Sequence, residues 1–356
     1  MSAVLIAGVA GFIGSNFARY LHHTRPDLQL VGLDYLSSAS VYATIAPLVE
    51  SGALHFVKAD LNDTQTVERV YRQHQIARVI NFAAESHNDR AILDPTPFVL
   101  SNVLGAQQLL ELSRQLGVER HVHISTIEVY GEQARGAPPF TPSSPLNAKT
   151  PYAAAKAAGD LMVRAYMQTY PGLDLCLTHA GNNYGPHQFP EKLIPLCITN
   201  VLRGRKIPLY GDGQQERDWI HVADHCRALA TLLLHPGRFA PAPGAASDPA
   251  RLPIYDISAR SVVSNRTIVE LILQALGKRP EDWIEFVADR PNHDRRYVIE
   301  PDRIEQELGW QPRTSLEEGI RQTVQWYIDN QNWWRPIVQS NRRLQFDWET
   351  ITVQGT

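Results

Sequence analysis

A chain of 356 residues is long for one hydrophobic core; it predicts two cores, or one large α/β unit with an appended part. Its 34 basic and 37 acidic residues leave a net charge of −3, which excludes the basic field that nucleic-acid or anionic-membrane binding requires. Cys176, Cys197 and Cys226 are too few and too scattered for a disulfide framework or a zinc cluster, so a globular, cytoplasmic protein without a metal site is expected.

In chain order, residues 4–7 are a short apolar run ending in a glycine turn, and a helical pattern follows through Phe12, Asn16 and Tyr20. The first fifteen residues have no basic leader and are interrupted by Gly8, Gly11 and Gly14, so they read as a strand entering a helix, not a signal peptide. Further strands are predicted at 28–33, 54–57, 78–83 and 121–125, with helices at 64–74 and 97–116 between them. This alternation predicts an α/β fold, a Rossmann-type doubly wound parallel sheet that binds ligands at the carboxyl ends of its strands. After about Pro186 the alternation weakens. Residues 236–253 read as an exposed loop, 266–277 and 316–330 carry helical periodicity, and no period is visible from Trp333 onward. No run reaches the roughly 18 apolar residues of a membrane span. His22-His23 reads as a solvated helix face, and Trp333-Trp334 as a core edge. The expected organisation is a nucleotide-binding unit over 1–186, rejoined by 221–234 and 252–258, a smaller α/β substrate-binding lobe over 187–334, and a tail over 335–356.

The segment Gly8-Val9-Ala10-Gly11-Phe12-Ile13-Gly14 lies between the first strand and the first helix. Amides at a helix start, with no side chain in the way, can approach a pyrophosphate and meet it with the positive end of the helix dipole. The spacing is GxxGxxG, weak by itself, but Asp34 closes the second strand twenty residues after Gly14. Its carboxylate can accept both hydroxyls of an adenosine ribose and repels a 2′-phosphate, so NAD is expected rather than NADP. Asp60-Leu61, after the third strand, would border the adenine.

Tyr152 and Lys156 stand four residues apart, on one face of a helix. An ammonium and a nicotinamide cation beside the phenol would lower its pKa and fit it to take a proton from a substrate hydroxyl during oxidation. Ser125-Thr126 closes another strand, where Thr126 would hold the same substrate oxygen.

Longer runs follow one another in the order of a known family: Ala83-Ala-Glu-Ser-His87, Ser125-Thr-Ile-Glu-Val-Tyr-Gly131, Tyr152 to Lys156 and Asn182-Asn-Tyr-Gly-Pro186. They continue in Phe189-Pro-Glu-Lys-Leu-Ile-Pro195, Arg217-Asp-Trp-Ile-His-Val222 and Asp289-Arg-Pro-Asn-His-Asp-Arg-Arg-Tyr297. On these runs the chain, from residue 1 to about 334, resembles the extended short-chain dehydrogenase/reductases, and most of all the dTDP-glucose 4,6-dehydratases. The resemblance implies an NAD-dependent enzyme acting on a dTDP- or UDP-linked sugar. Such enzymes oxidise carbon 4, remove the carbon 5 proton, expel the carbon 6 hydroxyl as water and reduce carbon 6. It implies Glu128 as the base, beside Thr126, Tyr152 and Lys156. The implied cofactor residues are Gly8, Gly11, Phe12, Ile13, Gly14, Asp34, Asp60, Leu61, Ala83, Asn102 and Asn183, with Tyr152 and Lys156. The implied substrate residues are Ser86, His87, Asn88, Thr126, Ile127, Asn182, Lys192, Pro208, Tyr210, Arg217, Ser261 and His293. Arg217 would offer its guanidinium fork to the diphosphate. A homodimer is implied by the resemblance alone.

One departure bears on the reaction. The dehydratases carry Ser-Thr-Asp-Glu where this chain has Ser125-Thr126-Ile127-Glu128, and isoleucine cannot protonate a departing hydroxyl. General acid catalysis is typically worth about 10²–10⁴-fold, enough to decide the outcome. Asn88 replaces a usual valine and could meet a sugar hydroxyl, the segment from His179 to Asn182 replaces Arg-Cys-Ser-Asn, and Ser261 replaces an asparagine. A 4,6-dehydratase therefore stands beside an epimerase, a decarboxylase and a 5,6-dehydratase, and beside a non-catalytic sugar-nucleotide or NAD sensor. Retained Thr126, Tyr152 and Lys156 argue against the sensor, which has no use for them.

Overall fold

Every residue of β1 (Ala3–Ala7) is buried, which explains its uninterrupted apolar run. Val4 and Ile6 pack with Phe17, Leu21 and Leu229 on one face of the sheet, while Ala3, Leu5 and Ala7 pack with Val67, Val70 and Leu109 on the other. The computed structural model describes residues 3–37, 39–239 and 251–340. The first half contributes β2 (Gln29–Asp34), β3 (Leu54–Lys58), β4 (Ile76–Asn81), β5 (Arg120–Thr126) and β6 (Leu175–Ala180). The second contributes β7 (Asn182–Tyr184), β8 (Ile207–Tyr210), β9 (Glu216–His221), β10 (Ile254–Ile257), β11 (Val262–Ser264), β12 (Ile284–Val287) and β13 (Arg296–Tyr297). One parallel sheet has the order β10-β6-β5-β4-β1-β2-β3. Its order reverses between β1 and β4, the place where an open α/β sheet leaves a crevice at its carboxyl edge.

The edge strand β10 reaches this sheet after the chain has built other elements, and the helix Val222–Leu234 supplies Leu229, Leu232 and Leu233 to the core under β1. A smaller body is organised on β9, which pairs with β7, β11 and β13; β8 and β12 form a two-stranded sheet. Its core joins Ile194, Ile198, Trp219, Ile268, Ile272, Ile320 and Trp334. Among the described residues no helix is long and apolar enough to cross a membrane.

Two elements differ from expectation in form. The helix predicted over 97–116 is three consecutive pieces, Thr96–Val99, a π-helical stretch Leu100–Gly105, and Ala106–Gln115. Gly105 sits in the wide turn, where a Cβ would come within 3.1 Å of Leu61 Cβ. The aperiodic stretch from Trp333 is in fact a helix, Gln331–Gln339, masked in the sequence by Pro336. Trp334 is buried and donates to the Tyr327 carbonyl at 2.7 Å, while Trp333 reaches Thr44 Oγ1 at 2.9 Å. The expected tail over 335–356 thus begins inside that helix, and residues 341–356 lie outside the described residues, as do 240–250 of the expected loop.

Candidate active site

A cleft of about 380 Å³ opens at the carboxyl ends of β1, β2, β4 and β5. Gly8, Gly11, Phe12, Ile13, Gly14, Asp34, Asp60, Leu61, Ala83, Ser86, Tyr152, Lys156 and Lys192 all line it. Gly8 has φ +76°, and a Cβ there would lie 2.5 Å from the Ala83 nitrogen, so only glycine lets these two strand ends touch. Gly11 is the N-cap of the helix Phe12–Thr24, and no side chain caps it. The first helical amides are therefore available to an anion.

Asp34 is buried, with three acceptor directions filled: Oδ2 accepts from Ala10 N at 3.0 Å, and Oδ1 from Leu36 N at 2.8 Å and Ser40 Oγ at 2.9 Å. A carboxylate offers about four such directions, so one ribose hydroxyl fits directly and a second fits only if Ser40 turns away. That narrows the expectation that Asp34 takes both hydroxyls. Burial raises its pKa, partly offset by these bonds. The glycine cradle, the uncapped helix start and this carboxylate together fit an adenine dinucleotide.

Asn102, expected at the cofactor, donates through its amide to the Glu85 carbonyl and accepts from Glu85 N, both at 2.9 Å. It fixes the loop after β4 from the π-helical turn. Asn183 is likewise committed, to the Gly181 carbonyl and to His225. Tyr35, which sequence reasoning passed over, lines the cleft and donates to Glu85 across it. Its position beside Asp34 was the available signal.

Tyr152 and Lys156 stand on the helix Pro151–Thr169, started by Thr150, whose Oγ1 accepts from Ala153 N at 3.2 Å. Lys156 donates to the Ile124 carbonyl at 2.7 Å; burial pushes its pKa down to about 8, opposed by Asp160 one turn further on. The Tyr152 phenol is raised, not lowered: burial dominates and Glu128 adds to it, while a hydrogen bond with Thr126 works the other way. Lys156 does not reverse this. Glu128 belongs to a 3₁₀ turn, Ile127–Tyr130, and Thr126 Oγ1 accepts from Glu128 N at 3.3 Å.

Ile127, like Thr126 and Glu128, is not among the residues that line the cleft. It is 1% exposed and packs with Val129, Tyr130, Ala157, Tyr297 and Ile299. Asn88, expected at a sugar hydroxyl, donates to Glu128 Oε2 and accepts from the Thr150 hydroxyl, both at 2.8 Å. His87 is buried near Glu191 (4.0 Å); burial and then Lys192 hold its pKa well below the usual range. Lys192 donates to the Ser86 carbonyl at 2.6 Å.

Asn182, Pro208, Tyr210, Arg217, Ser261 and His293 lie outside the lining of this cleft, on β7, β8, β9 and the loops after β10 and β12. Tyr210 donates to Asp89, which also pairs with Arg290, and His293 meets Asp289 at 2.6 Å. Ser261 N donates to Asp218. Arg217 directs its fork at the carbonyls of Glu216 and Asp294 (2.8 and 2.7 Å) and stacks 4.2 Å from the Tyr297 ring.

Beside the helix that carries Tyr152, His179 is fully buried between Asp160 (2.7 Å) and Asp256 (2.9 Å), with Tyr130 at 2.9 Å. Burial lowers the imidazole pKa, but the two carboxylates more than offset it and hold it at about 9.

The strand order, the glycine turn and the Tyr152–Lys156 pair define an extended short-chain dehydrogenase/reductase. The family model for GDP-mannose 4,6 dehydratase matches residues 5–323, and the chain belongs to that family. It is 41% identical over 363 residues to the dTDP-glucose 4,6-dehydratase of Xanthomonas campestris pv. campestris, covering 97% of this chain and 98% of the relative. The crystal structure of the dTDP-glucose 4,6-dehydratase of Streptomyces venezuelae with NAD and TYD bound is 42% identical, with TM-score 0.84 over 94% of this chain and 99% of that one. A UDP-glucose 4-epimerase complex with NAD from Thermus thermophilus is 30% identical, with TM-score 0.81 over 92% and 99%.

Proposed function

We propose that this protein is an NAD-dependent nucleoside-diphosphate-sugar 4,6-dehydratase of the dTDP-glucose type. The observation that carries the reading is the meeting of Thr126, Tyr152, Lys156 and Glu128 beside a dinucleotide cradle, in a chain 41% identical to enzymes of that name. The glycine turn and Asp34 would hold NAD, which would supply a two-electron acceptor for oxidation at sugar carbon 4 and the donor for reduction at carbon 6. Tyr152, hydrogen-bonded to Thr126, would take the carbon 4 hydroxyl proton as its phenolate, which the nicotinamide cation of bound NAD favours against the raised pKa of the phenol without it. The resulting ketone acidifies carbon 5, and Glu128 takes that proton while the electron pair moves toward the ketone oxygen. With no acid at position 127, Glu128, now protonated, is the group left to hand the proton to the carbon 6 oxygen, which departs as water; Glu128 then takes a proton from solvent and returns it to carbon 5 as carbon 6 is reduced. We assign Lys192, which lines the cleft, and Arg217 and His293 to the nucleotide part, as the family resemblance implies. The organisation is two lobes, with β10 and the helix Val222–Leu234 returning to the nucleotide-binding one.

A homodimer fits the apolar residues left exposed on neighbouring helices, Val99 at 52%, Leu104 at 41% and Leu161 at 59%. We place the enzyme in the cytoplasm, where nucleotide sugars are made. A second reading, 4-epimerisation or another reaction through the 4-ketone, is favoured by one observation, the absence of an acid at Ile127. Incubation with dTDP-glucose and then UDP-glucose should give the alkaline absorbance of a 4-keto-6-deoxy sugar. No keto product from either, with epimer or decarboxylated product from UDP-glucose or UDP-glucuronic acid, would move the assignment to the second reading.

A further inference from the structure

Glu128 and the head of the Tyr152 helix are far apart in sequence from Asn88, yet all three are joined by one side chain. Asn88 opens the short helix Asn88–Leu93 and is 8% exposed; Thr150 is 4% exposed. The Thr150 oxygen accepts from Ala153 N, and its single proton goes to Asn88 Oδ1 at 2.8 Å. The other end of the amide then presents Nδ2 to Glu128 Oε2 at 2.8 Å. Because a carboxylate only accepts, a flipped amide would set oxygen against oxygen, so the orientation is fixed by chemistry. The Glu128 main chain is held separately through Thr126. Among the described residues no hydrogen bond is made to Glu128 Oε1.

We propose that Asn88 is a positioning residue: it clamps Oε2 of the base to the N-cap of the helix bearing Tyr152, and so presents Oε1 to the carbon 5 proton. The valine expected from the family resemblance has no group that could do this. In this chain the base is oriented by a hydrogen bond that runs to the same helix that carries the oxidation step, so proton removal at carbon 5 stays in register with Tyr152. A misplacement of about 1 Å at a reacting group can cost about 10²-fold in rate, which sets the scale of the effect.

The inference rests on Glu128 acting as the base of the proposed dehydratase. The test uses the full chain with Asn88→Val, Thr150→Ser and Glu128→Gln, each checked for an unchanged melting temperature. Asn88→Val should lower kcat by about 10²-fold with KM within a factor of about two, and the isotope effect with substrate deuterated at carbon 5 should rise. In Thr150→Ser, which keeps the hydroxyl, Asn88 keeps its donor, and the side-chain amide signal of Asn88 should stay at its wild-type position. An unchanged kcat in Asn88→Val, or a lower kcat without a larger carbon 5 isotope effect, overturns the proposal. An arm independent of turnover follows the side-chain amide of Asn88 by nitrogen-15 NMR. One amide proton should lie downfield and move upfield in Glu128→Gln; no change there overturns the clamp. Should wild type give no keto product from either glucose nucleotide, the dehydratase reading fails and the NMR arm alone decides the clamp.

Discussion

Replacing His179 by leucine should cost the fold several kilocalories, because it leaves two carboxylates facing each other in a dry site. Asp160 and His179 have no exposed surface and Asp256 has 1%. Breaking a buried ion pair by removing one partner typically costs about 3–5 kcal/mol. The pH dependence gives a second figure. A histidine pKa raised from 6.5 to about 9 corresponds to roughly 3 kcal/mol of stability. The folded value is above the unfolded one, so this contribution is fully present below pH 6.5 and is lost as pH rises through 9. Lys156 acts in the opposite sense: its folded pKa, about 8, lies below its ordinary value, so stability is regained as pH rises from 8. The difference between wild type and His179→Leu cancels the contribution of Lys156, which is common to both. Urea unfolding at pH 6 should therefore show a gap of about 3–5 kcal/mol that shrinks toward pH 10. A gap under about 1 kcal/mol, or one that does not change across that range, would show that His179 is neutral in the folded protein.

Other outcomes follow from the same geometry. Tyr152→Phe should abolish turnover and leave nucleotide-sugar affinity, read by calorimetry, within a few-fold; retained turnover would remove the phenol from the chemistry. Gly8→Ala should lose NAD binding and lower the melting temperature, since its Cβ would strike the Ala83 main chain at a positive φ; tight NAD retention would contradict the close approach. Ile127→Asp should destabilise by about 2–4 kcal/mol by placing a carboxyl in the apolar cluster of Val129, Tyr297 and Ile299. A variant as stable as wild type and faster in dehydration would show that position 127 reaches the sugar.

Strands β1 and β2 were legible because their runs are apolar and buried, and β3 to β5 because they recur between helical patterns. The next strand, Leu175–Ala180, was not legible from its residues alone, which are no more polar than those of β5; it is fixed by partners on other elements, His123 for Thr178 and Asp160 for His179. The cofactor half of the site was legible for a related reason: a glycine turn and a strand-end acid are local patterns. The sugar half depends on partners far apart in the chain. Asn88 lies 40 residues from Glu128 and 62 from Thr150, and nothing in the sequence near it announces either bond. Ile127 shows the converse limit, since a residue's place in a motif does not say which way its side chain points once a 3₁₀ turn intervenes.

The late arrival of β10 has a consequence for synthesis on the ribosome. Until residues 254–257 have emerged, β6 is an open edge with unpaired main-chain groups, and His179 has Asp160 but not Asp256. A nascent chain stalled before residue 250 is therefore a six-stranded body exposed to mispairing along that edge. The same register that delivers Asp256 to His179 also caps the sheet, so completion of the edge and burial of the ion pair are a single event in the birth of the protein.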